Sequence, residues 1–185
     1  MKQSRATIRY AKSLIAISNE QSALETSFND MLVLSSVCNS NRDFVNLLKT
    51  PIVKTDLKIN ILTNLFAKSL SDLTLSFVTL ITKKKRETLL PEIADCFIAL
   101  YKKNKNIKEV YVTTATPLDQ DLREEVMTYI KKQTDSKIEL KENVDESLIG
   151  GTIIRMDDKQ LDASISSSLK SLKQQFSENL YIQNY

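Results

Sequence analysis

The chain has 185 residues, 42% hydrophobic and 26% charged, with a net charge of +3, which is the balance of a folded protein with one large core or two small ones. It contains no His, which excludes imidazole as a catalytic base or metal ligand, and only 2 Gly, too few for a phosphate-cradling loop or a dinucleotide fingerprint. Its two cysteines, Cys38 and Cys96, lie far apart inside helical periodicities and read as buried core thiols rather than nucleophiles.

The first 18 residues are basic but lack a long apolar segment with a cleavage site, and no apolar run approaches the ~20 residues that span a bilayer, so a soluble, cytoplasm-facing protein is expected. From 4 to about 19, Ile8, Ala11, Leu14 and Ile15 recur at helical spacing, with Arg5, Arg9 and Lys12 on the other face. Leu24, Phe28, Met31 and Leu32 predict a second helix ending near 39–41, and 43–49 a short third. After Thr50 and Pro51, a fourth carries Leu57, Ile61, Leu62, Leu65 and Phe66. The fifth, 73–83, is apolar nearly all round through Leu73, Leu75, Phe77, Val78, Leu80 and Ile81, so it is either central or the wall of a partner groove. A sixth, with Leu89, Leu90, Ile93, Phe97, Leu100 and Tyr101, fades into the polar run 102–106, where a domain boundary is placed.

Beyond that boundary the period changes. Val110 and Val112 alternate with Tyr111 and Thr113 as a strand, then Leu118, Leu122, Val126 and Ile130 share one helical face, and Ile138 and Leu140 mark a second strand. Gly150 and Gly151 introduce a third strand, 152–156, and Asp162 is the expected N-cap of a last helix through Ile165, Leu169, Leu172 and Phe176. The expected fold is mainly α with a smaller α+β part: a six-helix bundle over 1–105, then a small mixed sheet/helix domain over 106–185. Charge divides at the same place, +7 before it and −4 after it, so the two parts are expected to meet different partners.

Charged clusters have ordinary explanations. Lys83, Lys84, Lys85 and Arg86 fall where cations complement a helix C-terminus, and Asp119, Asp121, Glu124 and Glu125 where anions complement an N-terminus. A basic nucleic-acid-binding helical protein is the alternative reading, resting on that run and the +7 charge.

The segment DESLIGGTIIRMDDKQLDASISSSLKSL, starting at Asp145, resembles the C-terminal signature of the delta subunit (oligomycin-sensitivity-conferring) family of F-type ATP synthases. Its recurrent elements are matched by Asp145, Leu148, Gly150, Gly151, Ile153, Ile154 and Arg155, then by Asp158, Asp162, Ala163, Ser164, Leu169 and Leu172. RYAKSL at 9–14 and KKKRETLLPEI at 83–93 extend the resemblance to the first helix and to the turn before the sixth. Asp157 and Ala163 stand where the family often has Gly, and Ser166, Ser168 and Ser171 where it is often basic.

The resemblance implies a non-catalytic stator subunit of a proton-translocating ATP synthase, linking alpha subunits of the catalytic head to the b-type peripheral stalk. It further implies peripheral association with the cytoplasmic face of a bacterial inner membrane through that complex, with no cofactor, metal, small-molecule ligand or nucleic acid. The helical domain would receive an alpha-subunit N-terminal helix beside the first and fifth helices, in a helix-in-groove mode walled by Tyr10, Ala11, Leu14, Phe77, Leu80 and Ile81. The C-terminal domain would hold stalk helices through Leu169, Leu172 and Phe176, while Gly150, Gly151, Arg155, Asp158, Asp162 and Ser164 form a structural signature.

Overall fold

The computed structural model describes residues 4–134, 136–156 and 159–177. The chain divides into two compact units, Met1–Asn104 and Lys105–Tyr185.

The first unit is helical. α1 (Arg5–Glu20) starts where extended Ser4 accepts a hydrogen bond from the Ala6 N–H at 3.3 Å, and it buries the row Thr7, Ala11, Leu14, Ile15 and Ser18. α2 (Leu24–Ser40) buries Ser27, Asp30, Met31, Leu34 and Cys38. Ser18 Oγ donates to Ser27 Oγ at 2.9 Å, so the two hydroxyls enter the α1/α2 contact as a satisfied pair. α3 (Arg42–Lys49) and α4 (Thr55–Phe66) are joined by Phe44 packed edge-on to Phe66, with ring centroids 5.8 Å apart.

α5 (Asp72–Lys83) is anchored at its start by α2. Asp30 Oδ2 accepts from the Ser71 N–H at 3.0 Å and from the Ser71 hydroxyl at 2.5 Å, placing a carboxylate at the positive end of the helix dipole. A short 3-10 turn, Glu87–Leu89, leads into α6 (Leu90–Asn104), with Pro91 in its first turn, where a missing N–H costs nothing. α6 is the central helix: it packs on both α1 and α2 and buries Leu90, Ile93, Ala94, Cys96 and Phe97 almost completely, while Tyr101 stacks on Phe28 at 4.0 Å. α5 is therefore not central. Its inward row is Thr74, Val78, Ile81 and Thr82, the last donating to Val78 O at 2.8 Å, and Leu73, Leu75, Phe77 and Leu80 are left half-buried or exposed.

An ion pair fastens α3, α4 and the 3-10 turn together. Lys58 Nζ lies 2.7 Å from Glu87 Oε1 and 3.1 Å from Leu48 O, with the two charged side chains only 3% and 12% exposed. Glu87 Oε2 is buried with no hydrogen-bond partner among the described residues.

The second unit begins with a βαβ unit: β1 (Ile107–Thr114), α7 (Gln120–Gln133) and β2 (Lys137–Val144), with β2 parallel to β1. β3 (Gly151–Met156) pairs antiparallel with the other side of β1, and β4 (Lys159–Ser164) antiparallel with β3, giving the order β2-β1-β3-β4. Val110 and Val112, two apart on β1, share the face that meets Val126 and Ile130 of α7, and Leu118, Ile138, Leu140, Ile154 and Met156 complete that core. α8 (Ile165–Ser177) follows β4 directly.

β4 is a strand to which the sequence expectation gave no span of its own, reading a hairpin at the signature segment and a helix capped at Asp162. Lys159–Ser164 is an edge strand exposed at every position but its last, so it has no alternating apolar face to betray it. Asp162 is accordingly a strand residue opposite Ile153, and the helix is capped two residues later: Ser164 Oγ accepts from the Ser167 N–H at 3.2 Å.

Candidate partner-binding surfaces

Among the described residues no group of three or more Cys, Asp or Glu is arranged to hold a metal ion, and no helix is long and apolar enough to cross a membrane. The informative features are surfaces. In the first unit, Tyr10 of α1 meets the segment leaving α5: Arg86 Nη1 donates to the Tyr10 hydroxyl at 3.0 Å, and the guanidinium carbon lies 5.6 Å from the ring centroid. Along α5, Leu73, Phe77 and Leu80 fall at i, i+4 and i+7, with Leu73 and Phe77 half-buried and Leu80 49% exposed. The other three expected wall residues are buried: Ala11, Leu14 and Ile81 belong to the inward rows of α1 and α5 and are at most 1% exposed, so they present no surface to a partner. The sequence places Arg86 in a cationic run and in the turn before the sixth helix, without its link to Tyr10 of α1. Of the apolar positions that marked α4 in the sequence, Leu62 and Phe66 are buried, whereas Leu57, Ile61 and Leu65, at i, i+4 and i+8, stay exposed.

In the second unit, Leu169, Leu172 and Phe176 are 54%, 49% and 86% exposed, and exposed Ile165 extends their row. The spacing 165, 169, 172, 176 is the 4-3-4 pattern of a coiled-coil seam, here with no covering element among the described residues. Ser and Lys flank it, with Ser166, Ser168 and Ser171 small and exposed.

The signature residues shape how α8 is launched. Gly151 has φ +87°, and a Cβ there would run into the Ala163 carbonyl oxygen and come within 2.8 Å of Ser164 Cα, so the close approach of β3 to β4 requires glycine. Gly150 O accepts from the Ile165 N–H at 3.0 Å, tying the glycine pair to the first turn of the helix. Arg155 is exposed on β3, opposite Tyr111 and Gln160, and Asp158 lies outside the described residues. The Asp162 carboxyl is held below the usual carboxylate range by hydrogen bonds from the Ser164 hydroxyl and N–H, and Asp145 likewise by those of Ser147.

Two units of this kind, one helical and one built on β1 to β4, can be compared with known proteins. The profile of the family described as ATP synthase delta (OSCP) subunit matches residues 6–176. The chain belongs to the ATP synthase delta (OSCP) subunit family. A relative named ATP synthase subunit delta in Cytophaga hutchinsonii is 38% identical over 180 residues, covering 97% of this chain and 98% of that protein. One of the same name in Christiangramia forsetii is 31% identical over 182 residues, covering 98% of each. The fold recurs in a chain of the Toxoplasma gondii mitochondrial ATP synthase hexamer, with a TM-score of 0.69 and 22% identity over 94% of this chain and 98% of that one. The family match of residues 6–176 therefore runs through both units, from α1 into α8.

Proposed function

We propose that this delta-family chain is a non-catalytic stator subunit of a proton-translocating F-type ATP synthase, with a separate docking surface on each unit. The first unit receives an alpha-subunit N-terminal helix on the face formed by Tyr10, Phe77 and Leu80. The second holds the end of the b-type stalk helices on the α8 row Leu169, Leu172 and Phe176. Membrane association comes through the complex, at the cytoplasmic face of a bacterial inner membrane. The chain itself contributes no reacting group, cofactor site or nucleic-acid interface.

The observation that carries this reading is the exposed 4-3-4 seam of α8 within a match that spans both units. An amphipathic helix with no buried residue among those described is suited to packing on another helix. Mechanically, a stator must resist torque without chemistry, and two surfaces on one chain suffice. The test mixes the purified chain with catalytic heads carrying intact or N-terminally trimmed alpha subunits, and separately with soluble stalk fragments. Binding to heads that is lost on trimming supports the first surface, and loss of stalk binding in Leu169→Ser/Leu172→Ser supports the second. Retention in both cases rejects the assignment.

A further inference from the structure

The run Lys83, Lys84, Lys85 and Arg86 is only partly explained by the helix it ends. Cations favour a helix C-terminus, but the last α5 carbonyls already have backbone partners: Lys84 N–H donates to Leu80 O at 3.0 Å, Lys85 N–H to Thr82 O at 2.9 Å and Arg86 N–H to Ile81 O at 3.1 Å. Nor is the run neutralised. The next carboxylate in sequence, Glu87, is turned inward onto Lys58, and among the described residues no carboxylate pairs with Arg9, Lys83, Lys84, Lys85 or Arg86. Arg86 instead reaches α1 and uses one donor on Tyr10, from a fork that has five. Its backbone bond to Ile81 sets it about one turn beyond exposed Leu80.

We propose that Arg86, held against Tyr10, is a carboxylate-recognition residue of the α1/α5 surface, and that the helix docking there is acidic at the end lying over these two side chains. This rests on the groove assignment made above and adds its chemistry. Phe77 and Leu80 supply apolar contact that is indifferent to register. A charge-assisted bond from Arg86 to Asp or Glu fixes the register, and Lys83, Lys84 and Lys85 attract the partner at longer range.

The test titrates the full-length chain with a synthetic peptide carrying the alpha-subunit N-terminal helix of the same synthase, and with that peptide after its Asp and Glu are changed to Asn and Gln. Neutralising the peptide and introducing Arg86→Gln are each expected to weaken binding about tenfold, and not additively. Raising ionic strength weakens the native pair and not the neutralised one, and Arg86→Lys restores only part. Equal binding of both peptides, a flat salt response, or an alpha-subunit helix without carboxylates overturns acid recognition and leaves the groove standing. Binding of neither peptide removes the groove and the proposal together. Phosphatidylglycerol vesicles captured through the same four cations, with no discrimination between peptides, would assign the run to a membrane surface and overturn it as well. Circular dichroism checks the fold of Arg86→Gln. If that variant unfolds, Lys83→Gln/Lys84→Gln/Lys85→Gln, altering exposed side chains with no partner among the described residues, serves instead, and an unchanged salt slope rejects the proposal.

Discussion

Both units have apolar cores, but they differ in how many polar groups are buried with them. In the first, polar groups go inside with partners fixed: Ser18 on Ser27, Asp30 on Ser71, Thr82 on Val78 O and Lys58 on Glu87. In the second, the buried core cluster is four apolar side chains, Val110, Val112, Val126 and Ile130, only Thr114 and Ser164 are buried polar groups among the described residues, and the last helix turns its apolar row outward. Directional bonds in the bundle fix which helix lies where, so its surface can be specific and charged. The sheet unit keeps a small core and leaves the α8 row uncovered among the described residues, which is the surface the proposed stalk contact would use. The contrast holds only if damage to each unit shows up in a different measurement.

The largest effect is expected at Phe97, the biggest of the fully buried side chains, at 0% exposure on central α6. Phe97→Ala removes a ring from packed surroundings and should cost about 3–5 kcal/mol in chemical unfolding of the helical unit. Lys58→Met comes next, at about 3 kcal/mol, because it strands Glu87, whose second oxygen already lacks a partner. The double variant Lys58→Met/Glu87→Leu should recover much of that loss. If the single and double variants are equally unstable, the pair is not what fixes the turn.

In the sheet unit the corresponding lesion is steric. Gly151→Ala forces a Cβ into the Ala163 carbonyl at a φ of +87°, and a loss of about 2 kcal/mol or more is expected. At Gly150, φ +159°, the same change is also strained but meets Ile165 side-chain atoms rather than backbone, so it should cost less. Smaller still is the folding effect of Leu169→Ser/Leu172→Ser, within about 0.5 kcal/mol because both side chains are already half in solvent. Stalk binding should nevertheless fall. A large loss of stability in this variant would mean that α8 is core after all.

Much of this contrast is legible in the sequence, for physical reasons. A helix that buries one row repeats it every three to four residues, which is why Ala11, Leu14 and Ile15 or Val126 and Ile130 announce their elements. The same periodicity cannot say which side of an all-round apolar helix faces inward, so α5 was ambiguous until Thr74, Val78, Ile81 and Thr82 proved to be its inner row. It also merged the buried positions Ala11, Leu14 and Ile81 with a surface that only Tyr10, Phe77 and Leu80 reach. β4 was illegible because an exposed edge strand is held by backbone bonds to β3, which any residue can make. Arg86 on Tyr10 spans 76 positions, beyond any local pattern.

The smallest expected effect separates the units by pH. Burial, with Asp95 nearby, pushes the Cys38 thiol of α2 from its ordinary 9.0 up to about 11, and burial also raises Cys96. A raised folded value means that the unfolded chain loses its proton first, so this contribution is complete below about pH 9 and is lost as pH climbs toward 11. Asp145 and Asp162 have the opposite sign. Their folded values are lowered by Ser147 and Ser164, so their contribution is present above the ordinary range near pH 4 and disappears as pH falls through the depressed values. The helical unit should therefore soften at the alkaline end and the sheet unit at the acid end. Following each unit by native-state hydrogen exchange checks the division, with Cys38→Ala expected to flatten the alkaline slope and Asp162→Asn the acid one. If both slopes appear in the same unit, these side chains are not what distinguishes the two.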